Sequence, residues 1–152
     1  MEPVDEAWMR EALSLARRAA ESGEVPVGAV AVQGGIAVGR GANRREGDRS
    51  PLAHAEILAL SEAAAALGAW RLSGVDLYVT LEPCAMCAGA MVQARIRRLI
   101  FGAADPKAGA AGSLYNLLQD RRHNHQVEIQ AGLLANECGR LLSDFFSDLR
   151  GG

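Results

Sequence analysis

Long apolar runs are missing from this sequence of 152 residues: each is interrupted within about ten residues, whereas crossing a bilayer takes about 20. A basic leader is missing too. The opening MEPVDEAWMREAL places acidic residues before any basic one and has no continuous apolar core, so neither a signal peptide nor a transit peptide is expected. Cysteine is scarce. Three residues are an odd number, two of them form a close pair, and a reducing cytoplasm suits them better than a disulfide framework. An excess of positive charge is also absent, because 16 Lys and Arg face 18 Asp and Glu for a net charge of −2. The broad basic footprint of many nucleic-acid binders is therefore not expected.

What is present is ordinary for a globular chain: 49% hydrophobic and 22% charged residues, enough for one compact domain over residues 1–152. The acidity is partly local, since the first 25 residues hold six acids and three bases. Residues 40–49 carry four arginines against Glu46 and Asp48, and residues 95–107 carry four bases against Asp105. Either patch could equally be a solvated mixed surface.

Apolar residues at helical spacing (Met9, Leu13, Ala16, Ala20) predict a helix over 5–21, ending before Gly23. Residues 25–32 and 36–41 flank Gly34-Gly35 and read as a β-hairpin. Residues 40–51 form a polar loop, 53–67 an alanine-rich helix stopped by Gly68, 75–81 a strand, and 85–94 a helix of small residues. A short strand at 98–102 leads into a Gly- and Ala-rich segment, 103–112, that reads as mobile. A weak strand at 127–129 and an amphipathic helix at 134–149 complete the chain, with Leu141, Leu142, Phe145 and Phe146 on the last helix; one of the two phenylalanines is expected in the core. Alternating strands and helices predict a sheet covered on both faces.

The chemistry concentrates in two segments, PLAHAEIL and LEPCAMCAG. His54 lies 30 residues before Cys84, so they can meet only through tertiary folding. Each segment opens a predicted helix, where free amides and a partial positive charge favour a cysteine thiolate. Pro83 suits a helix start. His54, Cys84 and Cys87 make three ligands, and three ligands with an open fourth position is the pattern of catalytic zinc, one ion per chain. The fourth position would hold water with its pKa lowered to about 7. Glu56, two residues from a ligand, is placed to take the proton of that water and pass protons to a ring nitrogen and a leaving amine. A closed structural site completed by His123, His125 or Cys138 stays open at this point, and Cys138 alone reads most simply as a small buried residue. The combination H-A-E with P-C-A-M-C is far more specific than its parts, and matches the H-x-E…P-C-x-x-C signature of zinc nucleobase deaminases.

With EVPVGAV (24–30), GANR (41–44), AHAEILAL (53–60), LYVTLEPCAMCAGAM (77–91), FGAADPKAGAAGSL (101–114), NH (124–125) and LLSDFF (141–146), the chain resembles the bacterial tRNA-specific adenosine deaminases over nearly its whole length. The resemblance implies a three-layer α/β/α, cytidine-deaminase-like fold around a five-stranded mixed sheet, and a cytoplasmic homodimer acting on a tRNA anticodon stem-loop without membrane association. It implies that His54, Cys84 and Cys87 hold zinc, that Glu56 shuttles protons, and that Asn43 bonds the target base in a pocket of Val27, Ala55, Leu81 and Pro83. It implies RNA contacts from Asp105 (to a ribose 2′-hydroxyl), Lys107, His125 and Phe145. A carboxylate can accept from a 2′-hydroxyl, which DNA lacks, so Asp105 favours RNA; it could also be a solvated turn residue before Pro106.

Two departures from the family pattern stand out. Relatives commonly continue past LLSDFF with several basic residues, whereas Arg150 is here the one cation, so phosphate contacts from this end should be weaker. Ser50 stands where many relatives carry aspartate. A deaminase of free bases or nucleosides on the same scaffold is the alternative reading, and a non-catalytic RNA-binding relative a third, against which the intact Glu56 argues.

Overall fold

The computed structural model describes residues 2–151. Its elements are α1 (Pro3–Glu21), β1 (Gly28–Gln33), β2 (Ile36–Ala42), α2 (Ala55–Leu67), β3 (Asp76–Leu81), α3 (Ala85–Ala94), β4 (Arg98–Ala103), β5 (Glu128–Ala131) and α4 (Ala135–Gly151). The order is the one expected from the sequence, and the boundaries move by up to three residues. Helix α1 begins earlier than its apolar periodicity because Pro3 and a capping box between Glu2 and Asp5 set its first turn. Gly34 and Gly35 adopt φ of +59° and +77°, the pair of positive φ values that a two-residue hairpin turn requires, and Gln33 pairs with Ile36 across it.

The five strands form one mixed sheet in the order β2-β1-β3-β4-β5. β1 runs antiparallel to β2 and β3, while β3, β4 and β5 are parallel. β1, β3 and β4 are apolar almost throughout because helices cover both faces. Ala59, Leu77, Met91 and Leu99 belong to the core beneath α2 and α3. Met9, Leu13, Tyr78, Ile100 and Cys138 belong to the core beneath α1 and α4. The result is a three-layer α/β/α sandwich.

Two features differ from the sequence reading. The segment after β4 is tied down rather than loose: Ala110 and Ala111 are buried, and the Ala110 amide donates to the Pro83 carbonyl at 2.8 Å. On α4 neither phenylalanine joins the core; Phe145 is half-buried and Phe146 is 41% exposed, and they meet edge-to-face with centroids 5.5 Å apart. The apolar face of α4 docks instead through Cys138 and Leu141, with Leu134 packing just before the helix begins.

At the N-terminal ends of β3 and β4 lies a buried ion cluster. The Arg98 guanidinium donates to both carboxylate oxygens of Asp5 (2.9 and 3.0 Å) and to Asp76 (2.9 Å), and the Tyr78 hydroxyl donates to Asp5 at 2.5 Å. Arg98 Nε has no partner among the described residues. The chemistry-bearing segments sit at the opposite, C-terminal ends of the same two strands, the usual place for a site in an open sheet with parallel strands.

Candidate active site

Two helix starts face each other beyond the end of β3. His54 is the N-cap of α2 and Cys84 the N-cap of α3, both with extended backbone, and Cys87 lies in the first turn of α3. Close approach of α2 to the hairpin makes this possible: a Cβ at Gly41 of β2 would overlap the Ala55 carbonyl, so only glycine lets the first turn of α2 lie against the strand.

His54 Nδ1 is 3.7 Å from Cys84 Sγ and 3.4 Å from Cys87 Sγ. Tetrahedral zinc with ordinary Zn–S and Zn–N bonds holds sulfur and nitrogen about 3.6 Å apart. The three donors therefore already have the spacing such an ion needs, and all lie within 4.8 Å of one another. Among the described residues no other group of three or more His, Cys, Asp or Glu has metal-binding geometry. The closed four-ligand alternative is thus not supported. His125 Nε2 is bonded to the Ile96 carbonyl at 2.7 Å, and Cys138 is buried on the other face of the sheet.

Electrostatics suits the donor set. Cys84 is held well below an ordinary thiol, at about 5, first by its hydrogen bond with Cys87, then by the amides of Cys87 and Met86 at the helix start and by His54. Cys87, donating to that thiolate and buried, is pushed up. Glu56, 4% exposed in the first turn of α2, is raised to about 7, chiefly by burial and further by the negative Cys84. A carboxyl near neutrality can both accept and release a proton.

His54, Glu56 and Cys84 line one cleft, open on one side, with a cavity volume of about 180 Å³. Val27, Asn43, Ala55 and Leu81, read from the resemblance as the base pocket, line it, as does Asp105, read as an RNA contact; Pro83 is buried and does not line it, and its carbonyl accepts from the Ala110 amide. Lys107, His125 and Phe145 do not line the cleft; Lys107 is exposed on the loop beside Asp105, and the other two lie on separate segments. Val25, Arg45, Glu82 and Ala108 line it without having been singled out. Glu82 had one visible signal, a charge between an apolar strand and the ligand-bearing helix.

Asn43 is oriented by its own bonds: its amide donates to the Val25 carbonyl at 3.2 Å and its oxygen accepts from the Arg45 amide at 3.2 Å. That leaves one N–H and one lone pair for a ligand. The loop after it is held by Glu24, whose buried carboxylate accepts the amides of Glu46 and Gly47 at 3.0 and 2.7 Å. Ser50 Oγ accepts from the Leu52 amide at 3.1 Å, a local turn that aspartate would make equally well, which accounts for the exchange. Asp105 Oδ1 accepts the amides of Lys107 and Ala108 at 3.0 and 3.2 Å, so this turn commits one carboxylate oxygen and leaves Oδ2 for a donor.

The profile of the MafB19-like deaminases matches residues 4–150. The tRNA-specific adenosine deaminase of Bacillus subtilis (strain 168) is 54% identical over 96% of this chain and 91% of its own length. That of Haemophilus influenzae (strain ATCC 51907 / DSM 11121 / KW20 / Rd) is 48% identical over 96% and 85%. A solved structure from a study of A-to-I editing by tRNA:A34 deaminases at the wobble position superposes with a TM-score of 0.86 at 46% identity, covering 90% of this chain and 99% of that one. The guanine deaminase of Nitrosomonas europaea has the same architecture, with a TM-score of 0.83 over 96% and 85% of the two chains, but only 28% identity. The guanine deaminase thus shares the cytidine-deaminase-like scaffold, at lower identity than the two tRNA-specific adenosine deaminases. The chain belongs to the MafB19-like deaminase family and, within it, to the tRNA-specific adenosine deaminases.

Proposed function

We propose that this protein hydrolytically deaminates adenosine to inosine at the wobble position of a tRNA anticodon loop, with His54, Cys84 and Cys87 holding one zinc ion and Glu56 carrying the protons. The observation that carries this reading is the three-donor cluster beside a buried, near-neutral carboxyl in a base-sized cleft. His54, Cys84 and Cys87 would hold the ion, which would supply the Lewis acidity that makes water a nucleophile at neutral pH. Glu56 accepts a proton from the attacking water and delivers it to N1 of the adenine as the oxygen bonds to C6; it then takes the proton of the new C6 hydroxyl and passes it to the amine as the C6–N6 bond breaks, so that water is consumed and ammonia released. Asn43 holds the base edge with its remaining N–H and lone pair, and Val27, Ala55 and Leu81 pack around the ring. A target in a loop is already unstacked, which makes its entry into the cleft cheap.

From the cleft lining, Asp105 Oδ2 accepts from a ribose 2′-hydroxyl, and Lys107, exposed on the loop beside it, meets the backbone. His125 and Phe145 contact more distant parts of the stem-loop. The reading includes a homodimer working in the cytoplasm. An apolar groove between α2 and α3, edged by Leu60, Ala94 and the 64%-exposed Trp70, suits a second copy, and three free cysteines suit a reducing compartment. Among the described residues no helix is long and apolar enough to cross a membrane.

The test is an anticodon stem-loop bearing a wobble adenosine, offered beside free adenosine, guanine and cytidine. Inosine is expected in the stem-loop, with one zinc per chain by metal analysis. Glu56→Ala should keep the metal and lose the product. Turnover of free bases alone, or a fully active Glu56→Ala protein, would overturn the assignment.

A further inference from the structure

Glu82 is 2% exposed, immediately after β3 and two residues before Cys84. Its carboxylate accepts four hydrogen bonds, all from one distant loop. Oε1 takes the Asp105 amide at 2.9 Å and the Ser113 hydroxyl at 2.5 Å; Oε2 takes the amides of Ala111 and Ser113, each at 3.0 Å. Among the described residues no Lys, Arg or His side chain pairs with it. The contrast with Asp5 decides what kind of group this is. Asp5 is an equally buried carboxylate, but it is neutralised by Arg98 within the body of the fold. The negative charge of Glu82 is compensated by loop donors alone, so the loop cannot leave without stranding a buried anion.

The loop is shaped for this anchor. A Cβ at Gly109 would overlap the Glu82 carboxyl group, so the backbone closes over the carboxylate only with glycine there. The donors come from both ends of the segment, Asp105 at one and Ala111 and Ser113 at the other. Between them sit Lys107 and Ala108, and the Asp105 and Ala108 side chains reach the cleft.

We propose that Glu82 is a positioning residue for RNA recognition: it registers the 105–113 loop against the ligand-bearing start of α3, so that Asp105 meets the ribose of the substrate from a pre-formed loop. The inference rests on the stem-loop reading above and deepens it. Glu82 lines the cleft, but all four hydrogen bonds to its carboxylate come from the loop, so it acts through Asp105. A pre-formed loop spares the ordering cost that a loose Gly/Ala segment would incur on each binding event.

Glu82→Gln keeps size and shape but turns one acceptor into an N–H₂ facing loop donors. KM for the RNA stem-loop should rise about 10- to 100-fold, the worth of hydrogen bonds to a charged group, with kcat within about 2-fold and zinc still at one per chain. Amide hydrogen exchange at Asp105, Ala111 and Ser113 should accelerate. Discrimination between RNA and all-DNA stem-loops should fall as it does in Asp105→Asn, and adding Glu82→Gln to Asp105→Asn should cost little more, because both act through one contact. Should Glu82→Gln not fold, Ser113→Ala removes one of the four bonds and should give a smaller KM rise in the same direction. An unchanged KM despite faster amide exchange, additive effects of the two substitutions, or loss of zinc in parallel with activity would each overturn the positioning role. Absence of inosine with the wild-type protein would instead overturn the stem-loop reading itself.

Discussion

At the scale of single residues, the His54, Cys84 and Cys87 cluster and Glu56 beside it could be singled out because such a set is rare: two thiols and an imidazole at helix starts have few other uses. Glu82 was not, because three of its four donors are backbone N–H groups 23 to 31 residues away, and an amide has no side-chain signature. Pro83 was read as a wall of the pocket, whereas burial leaves only its carbonyl to act, on Ala110. Asn43 shows how much the surroundings add to a residue already singled out. Its amide is half committed, to the Val25 carbonyl and the Arg45 amide, so its orientation is set before any base arrives. Asn43→Asp keeps the acceptor for Arg45 but removes both N–H donors and turns a carboxylate oxygen toward the Val25 carbonyl. We expect kcat/KM for the stem-loop to fall about 10- to 100-fold with zinc content unchanged, checked by steady-state kinetics alongside metal analysis. An effect under about 3-fold would mean that the base is held by other groups.

At the scale of elements, nearly every helix and strand was visible in the periodicity, and the exceptions share a cause. The 103–112 segment reads as mobile by composition, yet it is fixed by a carboxylate from elsewhere in the chain; tertiary anchoring overrides local preference. Phe145 and Phe146 were drawn toward the core by their hydrophobicity, but α4 packs with Cys138 and Leu141. The approach of α2 to β2 was equally invisible, because a strand glycine does not say what lies against it. Gly41→Ala tests its importance. The added methyl must push the Ala55 carbonyl away, and His54 and Glu56 flank that residue in the chain. Overpacking of this kind costs about 1–3 kcal/mol. A lower melting temperature should therefore accompany weaker zinc retention against a chelator, whereas Gly35→Ala at the hairpin turn, where a Cβ meets open space but φ is +77°, should lower stability and leave zinc retention intact. Equal zinc retention in the two variants would show that α2 is not held in place through Gly41.

At the scale of the molecule, β3 and β4 carry the candidate active site at their C-terminal ends and a buried ion cluster at their N-terminal ends, so stability and activity should separate. Burial alone would raise the pKa of Asp5, but hydrogen bonds from Arg98, Tyr78 and the Glu2 amide outweigh it and hold the carboxyl below its ordinary value. Arg98 and Tyr78 are both shifted upward by the same contacts, Tyr78 first by burial and then by Asp5. The groups facing Asp5 are therefore Arg98 and Tyr78, with Asp76 on the far side of the guanidinium. Because the folded carboxyl is the stronger acid, its contribution is fully present above the unfolded pKa of about 3.9 and is lost as pH falls through the folded value. The Asp5 contribution to the urea midpoint, read as the difference between wild type and Asp5→Asn, should thus be constant from pH 7 to about 5 and shrink below about pH 4, since Asp5→Asn has no proton to take up at this position. Asp5→Ala strands Arg98 against Asp76 alone and should cost about 3–5 kcal/mol, the penalty for breaking a buried pair. Where either variant remains folded at 25 °C, its kcat/KM should stay within about 2-fold of wild type, since the cluster lies at the other end of the strands from Cys84 and Asp105. A large loss of activity in a folded Asp5→Asn protein would mean that the two ends of the sheet are coupled.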